Sequence, residues 1–165
     1  MADDAWAALV FLPFAAVIAL WVMWSDMKFM RIPNKAVLAL VAVFLVIGPF
    51  VLPLEAWLWR WLHLGVVLVI GFVLSLARLL GAGDAKFAAA MAPFIDLADL
   101  GIFAYLFAAV LMASFFTHRG ARSIPAVRRA TPEWESWERK KDFPMGLALG
   151  GVLILYLGMV TLRGT

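Results

Sequence analysis

The sequence predicts an all-α polytopic membrane protein with six transmembrane helices, the fourth of them short. Three observations carry that prediction. Of 165 residues, 65% are hydrophobic and 15% charged, against roughly 45–50% and about 25% in soluble domains. The apolar residues gather in runs of about 20, the length that crosses a hydrocarbon core of roughly 30 Å. Cysteine is absent, so disulfides, thiolate metal sites and cysteine nucleophiles are all excluded.

The runs place spans at about 5–24, 36–54, 62–80, 85–95, 101–116 and 144–162. The first is not a cleaved signal peptide, because Asp3 and Asp4 stand where such peptides are basic. Pro33-Asn34 marks a turn, with Asn34 suited to N-cap the second span. The fourth run would rise only about 16 Å, around half of a bilayer core. If Asp96 and Asp99 lie near the outer surface, Asp84 at its other end sits at the floor of a water-accessible notch. The sixth span opens Pro144-Met145-Gly146 and carries Gly150 four residues later, a small-xxx-small face that lets helices approach closely.

No segment is long enough to fold outside the membrane, so residues 1–165 read as a single membrane-embedded domain. Twelve of the fourteen Lys and Arg fall in or at the edges of the loops after the first, third and fifth spans, and only Arg60 and Arg163 on the other side. The positive-inside rule then puts both termini outside and Asp26 and Asp84 on the cytoplasmic side. The longest polar stretch, 117–142, is a basic cytoplasmic loop. Its second half begins like an interfacial helix: Thr131 can N-cap, Pro132 suits the first turn, and Trp134 and Trp137 would share a face. Its simplest role is anchorage at the headgroups; the alternative is that Glu133, Glu135 and Glu138 attract a basic segment of a substrate.

Asp26 and Asp84 are the candidate functional pair, since carboxylates at membrane depth are costly and mark functional sites by default. Two carboxylates in contact do not ionise together easily, so one can take a proton from water while the other polarises a carbonyl. Gly81 and Gly83 would supply unusual backbone angles and room for an extended peptide. Taken singly, Asp84 could be only a helix cap and Asp26 only a counter-charge to Lys28. Their location on one face favours a dyad. His63 and His118 stand at span ends and read as interfacial; no metal or other cofactor is expected, and nothing suggests nucleic-acid binding.

Three blocks resemble the type IV prepilin peptidases, GxGD-type aspartic membrane proteases: Ser25-Asp26 with Lys28 and Arg31-Ile32-Pro33-Asn34; Gly81-Ala82-Gly83-Asp84-Ala85-Lys86; and Pro144-Met145-Gly146 with Ala148 and Gly150. They follow the family's order, and the resemblance covers nearly the whole chain. It implies a bacterial inner-membrane endopeptidase that cuts a short basic leader from prepilins at the cytoplasmic face, with Asp26 and Asp84 catalytic. Gly81, Gly83, Lys86, Pro144 and Gly146 would support the site or contact the substrate. Lys86 either holds Asp84 ionised or orients the scissile carbonyl, or it is an interfacial cation, as is Arg78. Lacking cysteine and entering its first span at once, the chain looks like the peptidase-only branch of tight-adherence (Flp) pilus systems, without N-methyltransferase activity. Two other classes compete: a small proton-coupled transporter or channel component, and a non-catalytic pilus-assembly protein.

Overall fold

The computed structural model describes residues 2–139 and 142–163. Seven α-helices form it: α1 (Ala2–Phe29), α2 (Asn34–Val51), α3 (Leu54–Leu76), α4 (Ala82–Met91), α5 (Leu100–Ser123), α6 (Pro125–Ala130) and α7 (Met145–Arg163), with 3-10 turns at Ala92–Phe94, Leu97–Asp99 and Glu135–Trp137. The protein is an all-α polytopic membrane protein. Among the described residues five helices, α1, α2, α3, α5 (with the turn before it) and α7, are long and apolar enough to cross a membrane. The short fourth span expected from the sequence is the ten-residue α4, too short to cross alone.

The core is built on α1 and α7. Phe11, Ala15, Ile18, Ala19 and Val22 recur every three or four residues on α1 and are buried, the spacing of one helix face. They meet Leu149, Val152, Leu153, Tyr156 and Leu157 of α7 within one core cluster. The small-residue face expected on α7 lies at this contact: a Cβ on Gly150 would come within 2.9 Å of the Ala19 carbonyl oxygen. The next step of the α1 stripe after Val22 is Asp26. Close packing of α1 on α7 therefore carries that carboxylate to the α7 N-terminus.

The end of the bundle away from Asp26 is tied by charge. Arg60 is buried, and its Nη2 donates to Asp96 Oδ2 at 2.7 Å and to Asp4 Oδ1 at 3.3 Å. The Asp96 N–H donates to the Tyr156 hydroxyl, which donates to Asp99 Oδ2 at 3.0 Å; Arg163 pairs with Asp99 at 2.9 Å. α3 thus starts eight residues before the expected position and takes Arg60 into its interior. Two carboxylates from distant parts of the chain neutralise it. Arg60→Leu is expected to lower stability by about 2 kcal/mol, less than the roughly 3–5 kcal/mol of a fully buried pair because Asp4 and Asp96 reach solvent. Thermal unfolding in detergent measures it.

Three further expectations need correction. α5 runs on to Ser123, and His118, expected at an interface, is 1% exposed, stacked on Trp137 at 5.1 Å. Residues 131–139 are not an α-helix: the helix of this loop lies upstream at Pro125–Ala130, and Thr131 follows it, its hydroxyl donating to the Val127 carbonyl at 2.8 Å. Lys140 and Lys141 lie outside the described residues. Trp134 and Trp137 do share a face, stacked 5.6 Å apart, and Trp137 is buried against His118 of α5. Asn34 is the first residue of α2 and makes no cap bond; Pro33 occupies the cap position.

Candidate active site

α1 ends one turn after Asp26. Met30 takes a left-handed conformation (φ 49°) and its N–H returns to the Asp26 carbonyl at 2.9 Å. The Ser25 hydroxyl closes the same turn by donating to the Arg31 carbonyl at 2.9 Å. This reversal buries Ile32 and sets Pro33 at the start of α2. Ile32 in turn touches the second turn of the site: a Cβ on Gly83 would lie 3.3 Å from the Ile32 Cβ. The two sequence-distant motifs are in van der Waals contact through that glycine.

Asp26 is 5% exposed, and its Oδ2 accepts the Gly146 N–H at 2.7 Å. That N–H is free to do so because it lies in the first turn of α7, where helix donors have no partner of their own. Pro144, fully buried, precedes the helix and fixes its start. Gly146 cannot carry a side chain here: a Cβ would stand 2.8 Å from the Asp26 Cβ and 3.0 Å from its Oδ2.

Asp84 is half-buried in the first turn of α4. Its carboxylate lies close to Gly81, the residue capping α4, whose N–H favours the ionised form. Its place in the first turn of α4 fits a role at the helix start and does not exclude a second one. A Cβ on Gly81 would come 2.5 Å from Asp84 Oδ2. Burial first, and then the nearby charge of Asp26, raise the Asp84 pKa to about 6, with the Gly81 N–H pulling the other way. Each aspartate thus sits at a helix N-terminus, Asp26 against α7 and Asp84 on its own α4. Both termini favour negative charge.

Among the described residues no glycine has a positive φ. Gly81 is extended (φ −64°, ψ 139°), so the expected unusual backbone angles are not used. What Gly81, Gly83 and Gly146 supply is absence of bulk against Asp84, Ile32 and Asp26.

A cleft of about 680 Å³ joins these pieces, lined by Asp26 and Asp84, by Arg31 to Lys35, and by Gly81 to Gly83 with Lys86. The Lys86 ammonium, at the cleft's solvent side, donates to Asn34 Oδ1 at 3.4 Å. Asp84's proton affinity is set by burial, Asp26 and Gly81, so the view that Lys86 holds it ionised finds no support. Arg78 stands outside the cleft lining, left-handed (φ 59°) just after α3. The loop glutamates pair with nearby cations: Glu133 with Lys28, Glu135 with Arg139, and Glu138 with Arg128. They are poorly placed to recruit a basic segment. Among the described residues no cluster of three His, Asp or Glu could hold a metal.

Sequence reasoning singled out Asp26, Asp84 and the three glycines but did not foresee the Gly146 N–H as a hydrogen-bond donor, nor Ile32 as the contact between motifs. Pro144 two residues before Gly146 was the available signal for the first, since it marks a helix start. For the second there was none short of the fold.

A family model for the type IV leader peptidase family matches residues 13–117. That range includes the Asp26 and Asp84 turns and stops before Pro144 and Gly146. No curated protein and no solved structure matches the chain.

Proposed function

Because the chain belongs to the type IV leader peptidase family, we propose that it is a membrane aspartic endopeptidase in which Asp26 and Asp84 act together on one water molecule. The observation that carries this reading is the shared cleft: two carboxylates from different helices line it, and the charge of one raises the pKa of the other. One carboxylate, ionised, takes a proton from water as the water attacks the scissile carbonyl carbon. The other, protonated, donates a hydrogen bond to the carbonyl oxygen and then delivers its proton to the leaving amine. The pair titrates as a unit, so neither role is fixed to one residue.

The substrate in this reading is a type IV pilin-like precursor, cut between its basic leader and its apolar helix at the cytoplasmic face of the bacterial inner membrane. The loop charges support that orientation, with both termini outside. The cysteine-free composition supports the peptidase-only, tight-adherence branch; transfer of a methyl group from S-adenosylmethionine to the product by the purified protein would overturn that part. The two aspartates stand at one end of their helices, which disfavours a proton path across the bundle.

The test is cleavage of a prepilin peptide by the purified protein in liposomes, with the cut site read by mass spectrometry. A single cut immediately before the apolar segment is expected. Failure to cut any leader-bearing pilin-like precursor would overturn the proposal. The pH profile adds a second expectation. The Asp84 pKa is raised to about 6, in part by Asp26, so above that value the pair loses the one proton it must keep and kcat/KM should fall about tenfold per pH unit.

A further inference from the structure

A second cavity lies outside the cleft. It has a volume of about 430 Å³ and is lined almost wholly by apolar side chains of α3, α4 and α5, among them Leu62, Val66, Ala88, Met91, Phe103 and Phe107. On each helix the lining residues fall on one face: Leu62 and Val66 four apart, Ala88 and Met91 three apart, Phe103 and Phe107 four apart. The slot exists because α4 is short. α5 packs mainly on α7, and α3 packs on α4, so the two long helices stand apart with α4 and its following turn as the floor between them. They are also the spans with least protein cover: 11% of the most apolar window of α3 and 6% of that of α5 is buried, against 50% for α7.

The floor runs in line with the active-site cleft. Ala88 and Met91 follow Asp84 at i+4 and i+7, so the three fall on one face of α4, and Ile95, beyond the 3-10 turn, continues the slot lining. A helix lying in the slot would therefore have its end aimed at Asp84. A lipid tail would also be apolar, but it carries nothing for a carboxylate dyad to act on. Cleft and slot are lined by different residues, but Asp84 in one and Ala88 and Met91 in the other share one face of α4, which argues for an occupant that needs both.

We propose that the slot between α3 and α5 seats the apolar helix of the substrate, with the chain just before that helix delivered to Asp26 and Asp84. This assignment rests on the proposed peptidase function. It makes the enzyme a reader of helix-in-groove packing, with selectivity drawn from apolar shape along α4 and chemistry confined to the helix end.

The absence of cysteine makes the test direct. In the Asp84→Asn background, which should retain uncut substrate, Val66→Cys and Phe103→Cys are oxidised against single cysteines walked along the apolar helix of a full-length prepilin in liposomes. Leu38→Cys and Val17→Cys, exposed on α2 and α1, serve as comparison positions. Disulfides at Val66→Cys and Phe103→Cys with a three-to-four-residue period along the substrate, at least tenfold above the comparison positions, are expected. In an otherwise wild-type enzyme, Val66→Trp should lower the kcat/KM ratio of full-length prepilin over a peptide lacking the helix by about tenfold. If wild type cuts prepilin but cross-links are uniform or absent and the ratio does not move, the slot is only a bed for lipid and the assignment is wrong while the function stands. If wild type cuts nothing, both fall together.

Discussion

Asp26→Asn and Asp84→Asn are each expected to reduce prepilin cleavage by at least about 10³-fold, with the double variant little worse than either single one. Members of a catalytic unit lose nearly the whole effect when one is removed. The substitutions are informative because the amide keeps what the carboxylate does structurally. The amide oxygen introduced at position 26 can still accept the Gly146 N–H, and the one introduced at position 84 can still face Gly81. What disappears is the ability to ionise and exchange a proton. Single-turnover cleavage, read beside thermal unfolding, separates loss of chemistry from loss of fold. Residual activity of either variant within tenfold of wild type would be fatal to the dyad.

The stability of the Asp84 variant carries its own sign. The Asp84 pKa is raised to about 6 from 3.8, so between those values the folded protein binds more protons than the unfolded one. Its contribution is fully favourable below about 3.8 and is lost as pH rises through about 6. Asp84→Asn removes a group that is costly at about pH 8, and should melt no lower than wild type there. An inactive protein that is equally stable is the result expected of a site that sacrifices stability for function.

Gly146→Ala is the second large effect, expected to lower kcat/KM by about 10²- to 10³-fold. The new methyl would meet the Asp26 Cβ at 2.8 Å, closer than such atoms approach. Its neighbours are the rigid α1–α7 core and not the loose end of a side chain, so Asp26 itself must move. A shift of about 1 Å at a reacting group can cost about 10²-fold. Gly65→Ala and Gly101→Ala, where a methyl would meet nothing within 4 Å, should leave turnover within about twofold. A kinetic assay of the three variants side by side decides it; equal effects at all three positions would mean that contact with Asp26 is not the cause.

The membrane class and the two aspartates were legible because both depend on local sequence: apolar runs long enough to span, and charged residues in turns at their edges. The pairing of α1 with α7 was partly legible in the Gly146 and Gly150 spacing. The rest required partners that sequence distance hides. Arg60 looked like a loop residue because a guanidinium inside an apolar run is unfavourable, until Asp4 and Asp96 are seen beside it. His118 looked interfacial because it stands at a span end, yet Trp137 and Phe143 cover it, and among the described residues neither ring nitrogen has a hydrogen-bond partner. In residues 131–139, good capping chemistry at Thr131 lost to tertiary packing, because burying the Trp137 ring outweighs the weak intrinsic preference of so short a helix.

Met30 and Arg78 have a consequence for how the site moves. Each is a bulky residue held left-handed, at a cost of about 1–2 kcal/mol that glycine would avoid. One follows Asp26 by four residues and the other precedes Asp84 by six. A glycine at either place would gain many alternative backbone states, whereas a side chain has few. Each turn is thus held by a residue with few alternative backbone states, and Met30→Gly or Arg78→Gly would loosen the chain next to an aspartate without touching the carboxylate itself.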